Sequence, residues 1–159
     1  MAEPKDGDGF VTLSAALTGY DSASLWATGC LPEYRRQVAA VAGPALMARL
    51  EAAGMDLAAL PPGPALDGAA RELVLADHDL GPLARSLIQL WYLGQWTPMP
   101  ADWVERNGAK REDVARILSP RAYREGLVWD AIGAHPMGAK QQGFGAWAEE
   151  PPVTPEEAR

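Results

Sequence analysis

At 159 residues the chain has room for one domain with a core of its own. Its 14 Lys and Arg are outnumbered by 21 Asp and Glu, a formal net charge of −7; that argues against a protein that holds nucleic acid or an anionic lipid surface through clustered cations. A single cysteine, Cys30, closes no intrachain disulfide and supplies too few ligands for structural zinc or an iron–sulfur cluster.

Residues 1–9 contain no apolar stretch of the kind an export signal needs, and they are expected to form a flexible N-terminus. No apolar run approaches the ~20 residues of a bilayer span. A helical domain is expected over 10–136. Asp8 stands where an N-cap belongs and Gly19 where a helix ends, which predicts a short helix from Phe10 to Leu17. Asp21 and Ser22 cap a second one containing Trp26. Pro32 suits a helix's first turn, and Leu31, Tyr34, Val38, Val41 and Ala42 follow at helical spacing. Gly43-Pro44 interrupts that run. Ala45–Ala53 continues it, with Leu46 and Leu50 on one side, until Gly54.

Pro61-Pro62-Gly63-Pro64 is a loop by composition. Asp67 is expected to open the next helix, with Ala70, Leu73 and Val74 inward. From Leu80 to Gly94 the stripe Leu80, Leu83, Ala84, Leu87, Trp91 is flanked by Ile88, Leu90 and Tyr92, and Arg85 is the one charge. A helix apolar on nearly all sides is central or covered by something else, and a second chain is a candidate for that cover. Gln95–Gly108 is polar and contains Trp96 and Trp103. Lys110–Leu118 reads as a helix. Ser119 and Pro120 start another, with Tyr123, Leu127 and Ala131 on one face and Trp129 about 200° from Leu127. Residues 137–151 read as an extended segment carrying Phe144 and Trp147, and 152–159 as a disordered acidic tail. No strand pattern of useful length appears, so the fold is expected to be all-α: a small irregular domain of short helices with an extended Gly- and aromatic-rich C-terminal tail.

No nucleophile elbow, zinc-binding His pair or phosphate loop is present. His78, in Ala-Asp-His-Asp, and His135, before Pro136 at a helix end, are the natural acid–base candidates; a capping or surface role is the plainer account of each. The unusual feature is aromatic. Six tryptophans in so short a chain suit either core packing or anchoring on a partner, where bulky rings contribute most of the binding free energy. Trp91, Tyr92, Tyr123, Trp129, Phe144 and Trp147 are the residues expected to touch that partner.

Three stretches resemble the small subunit of bacterial flavin-dependent sugar and polyol dehydrogenases, a family that includes the glucose, sorbitol and fructose dehydrogenase small subunits and those of glycoside 3-dehydrogenases. Phe10-Val-Thr-Leu13-Ser-Ala-Ala-Leu17-Thr18-Gly19 is similar to the family's opening. Leu90-Trp91-Tyr92-Leu93-Gly94 is similar to its Trp-Tyr-x-Gly helix end. Ala122-Tyr123-Arg-Glu125-Gly-Leu127-Val-Trp129, then Gly143-Phe144-Gly145-Ala-Trp147-Ala-Glu149-Glu-Pro151, is similar to its Tyr-containing helix and Trp-Ala-x-Pro ending. Their order covers roughly residues 8 to 151, with 97–118 as an insertion and no Ser-Tyr-Cys segment before Trp147.

The resemblance implies a non-catalytic subunit without a cofactor of its own. The FAD would sit in a large partner subunit of the glucose-methanol-choline type, with a cytochrome c subunit as electron acceptor. The small subunit of that family supports the large one's folding and twin-arginine export, which favours the periplasm over the cytoplasm. The alternatives are a free-standing helical enzyme or ligand-binding protein using His78 or His135, and a homo-oligomer held by the same aromatic surface.

Overall fold

The carboxylate of Asp8 accepts a hydrogen bond from Phe10 N and starts α1 (Gly9–Thr18); Gly19 ends it in the left-handed conformation, its N–H on Ala15 O. These are features of a computed structural model that describes residues 8–136 and 139. Asp21 caps α2 (Ser22–Ala27) through Ser24 N.

Next comes α3 (Leu31–Ala58), with Pro32 in its first turn and a bend at Gly43, where φ is 71° and ψ 173°. Gly54 does not end this helix as expected. A side chain there would collide with the backbone carbonyl of Gly9, and one at Gly9 would collide with that of Glu51. The two glycines thus serve close approach: they let the backbones of α1 and α3 touch. Arg35 bridges the same contact, pairing with Asp8 at 2.7 Å and with Glu51.

By length and composition α3 could cross a bilayer. In this fold its Leu31, Tyr34, Val38, Val41 and Leu50 are all within the core.

The next helix, α4 (Pro64–Ala70), begins at Pro64 rather than Asp67, since proline suits the first turn and leaves Asp67 beside the helix's positive end. It runs into a π-helical turn over Arg71–Leu75. The extra residue of such a turn rotates the facing of the residues beyond it. Ala70 and Val74 are buried as expected, but Leu73 is 48% exposed and corrects that expectation.

In α5 (Leu80–Leu93) the stripe Leu80, Leu83, Ala84, Leu87, Trp91 is buried, and so are Ser86 and Leu90. The cover for this helix comes from the chain itself. It contacts α1, α3 and the π-helical turn, together with elements C-terminal to it.

The elements after α5 are β1 (Gln95–Trp96), α6 (Ala101–Asn107), β2 (Arg116–Ile117), α7 (Pro120–Arg124) and α8 (Leu127–Ala131), of which β1, α7 and α8 pack on it. Gln95 pairs with Ile117 and Trp96 with Arg116, antiparallel. The helix expected over Lys110–Leu118 is therefore absent, replaced by turns and β2. Asp113 explains why: its carboxylate accepts Trp96 Nε1 at 2.9 Å and Met99 N at 3.0 Å, and a continuous helix would not aim it there.

The single helix expected beyond Ser119 is divided at Gly126. Ser119 does cap α7, through Ala122 N. Gly126 lies against the α5 end, where an added Cβ would come within 2.7 Å of Tyr92 O, and the break leaves Ala131 exposed rather than inward. Apart from one two-stranded ribbon the described chain is helical, and the all-α reading holds.

Candidate functional site: an aromatic junction and its grooves

Three segments of the described chain that lie far apart in sequence, Phe10–Gly19, Leu90–Gly94 and Ala122–Trp129, meet at one place. Tyr92, in the last turn of α5, donates its hydroxyl to Thr18 O at the end of α1, 2.9 Å away. Tyr20, two residues further along, stands edge-on to Tyr92, with ring centroids 6.3 Å apart and an interplanar angle of 76°. Its own hydroxyl donates to Asp130 Oδ2 in α8 at 2.9 Å. That bond to a carboxylate, with some desolvation, holds the Tyr20 phenol above its ordinary pKa.

Gly94 ends α5 with φ 67°, and an added Cβ would lie 2.5 Å from Ala122 O, so only glycine lets α5 turn beneath α7. Tyr123 and Trp129 complete the junction as an edge-to-face pair 5.5 Å apart, the indole N–H donating to Tyr123 O at 2.8 Å.

Trp91 does not belong to this surface. It is 1% exposed and meets Tyr34 edge-on at 4.8 Å and 81°, inside the core between α5 and α3. In this fold it presents no area to another chain, which corrects its expected role as a partner contact. The physical reason is the stripe itself: Trp91 continues Leu83 and Leu87 on the face that α5 turns inward.

Its indole N–H has no hydrogen-bond partner among the described residues. Burial pushes the neighbouring Tyr34 phenol well above its ordinary pKa and raises that of the Cys30 thiol. Trp96 and Trp103 are likewise in the core, donating to Asp113 and to Asp79 O. Half of the tryptophans that suggested an anchoring surface are structural.

Tyr92, Tyr123 and Trp129 are half-buried and keep an outer edge. Phe144 and Trp147, with the whole expected segment 137–151 apart from Ala139, lie outside the described residues, as does the tail 152–159. His78 is exposed on the Asp77–Asp79 turn, where its carbonyl accepts from Arg106 Nη2. His135 is half-buried beyond α8, its Nδ1 3.3 Å from Pro136 O.

Two grooves flank Tyr20. One, of about 440 Å³, runs between α1, the end of α3 and the start of α4, over Ala15, Ala16, Leu57 and Leu66. The other, of about 300 Å³, lies between α2 and the α7–α8 break, with Trp129 and Leu127 in its wall. A third depression, about 310 Å³, is polar and formed by Glu33, Arg36, Gln37, Glu112 and Arg116. Neither His78 nor His135 lines any of the three. Among the described residues no group of three metal-ligating side chains converges.

The sequence singled out Tyr92, Tyr123 and Trp129 as expected partner contacts. It missed Tyr20 and Asp130, whose hydrogen bond spans 110 residues and leaves no local pattern. Comparison of the chain with family models, with curated proteins and with solved structures gave no match.

Proposed function

We propose that this chain is the non-catalytic small subunit of a flavin-dependent dehydrogenase acting on a sugar, polyol or glycoside. It binds and stabilises a large FAD-carrying subunit of the glucose-methanol-choline type, assists that subunit's folding and twin-arginine export, and works with it in the periplasm. A cytochrome c subunit receives the electrons.

The observation that supports this reading is the convergence of the resembling motifs. Thr18-Gly19, Tyr92–Gly94 and Ala122–Trp129 pack directly on one another. Short motifs that match by chance have no reason to meet. Motifs that maintain one helical junction must be kept together and in order. The segment Gly143–Pro151, which carries the last part of the resemblance, comes after that junction along the chain.

On this reading the FAD belongs to the large subunit. No chemical step is assigned to this chain.

Coexpression with a large subunit of this type tests the proposal. The large subunit should be soluble and yellow with the full chain present. It should be insoluble or flavin-poor with residues 138–159 deleted. Equal flavin content and yield of the large subunit with the full chain, with the deletion and with no small subunit would overturn the reading.

A further inference from the structure

We draw no further inference here: the strongest candidate, the apolar groove between α1, the end of α3 and the start of α4 over Ala15, Ala16, Leu57 and Leu66, carries none because nothing in the structure shows what covers it.

Discussion

Trp91 shows how much one side chain's setting decides. Removing its ring to give Trp91→Ala empties a site in the core beside Tyr34, and such truncations cost about 3–5 kcal/mol. Trp91→Phe keeps an aromatic edge against Tyr34 and removes an indole N–H that has no partner among the described residues, which offsets part of the lost volume. Urea unfolding should therefore show a loss several times smaller for Phe than for Ala; equal losses would mean that the indole is not packed this way. The burial of Trp91 is legible in its stripe with Leu83 and Leu87. What periodicity does not report is whether the other side of that stripe belongs to this chain or to another. Caps are legible for a different reason: Asp8, Asp21 and Ser119 each bond a backbone N–H two or three residues away, so the whole interaction lies within a few residues of sequence.

Between elements, the contact of α1 with α3 turns on Gly9 and Gly54, where each helix leaves room for the other's backbone. Helix propensity alone says that Gly54→Ala gains up to about 1 kcal/mol. The collision with the Gly9 carbonyl opposes that gain and can be relieved only by separating the helices, and overpacking of this kind costs about 1–3 kcal/mol or more. Gly54→Ala should thus lower the melting temperature, whereas Gly68→Ala, in open space within α4, should raise it or leave it unchanged. The role of Gly54 is hidden from sequence because a helix-ending glycine and one that admits a neighbour look alike along the chain. The segment Lys110–Leu118 misleads for a related reason. Its local pattern allows a helix, and the bonds from Asp113 to Trp96 and Met99, 14 to 17 residues away, override it.

Across the whole molecule, the turn Asp77–Asp79 ties distant parts together. Asp77 accepts from Leu80 N and Asp79 N and pairs with Arg49 of α3 at 2.7 Å. Asp79 holds Arg106 and Asn107 of α6, and its carbonyl takes the Trp103 indole N–H. Burial raises the Asp77 carboxyl, but the two backbone N–H groups and Arg49 together outweigh it and hold the group below the ordinary carboxylate range. A carboxyl whose folded-state pKa is depressed stabilises fully above its unfolded value, about 3.9, and that contribution disappears as pH falls through the lower folded value. Asp77→Asn should accordingly be less stable than the native chain at pH 7, with the two converging as the pH drops below about 3.9. A gap that stayed constant down to pH 2 would contradict this pairing. The helical class is legible in the sequence at this scale, and so is the order of most elements. The meeting of α1, α5, α7 and α8 at Tyr20 and Tyr92 is not, because no single stretch of sequence contains it.

The bend in α3 has a consequence for handedness. At Gly43 nothing lies within 4 Å of where a side chain would start, so torsion rather than crowding reserves the position for glycine. With φ 71° and ψ 173° the residue occupies the mirror image of ordinary extended backbone, which natural amino acids avoid and their enantiomers prefer. D-alanine introduced there by chemical ligation would fit without strain, and by restricting the unfolded chain would make the helix firmer. L-alanine, identical in composition, would force the bend out of shape.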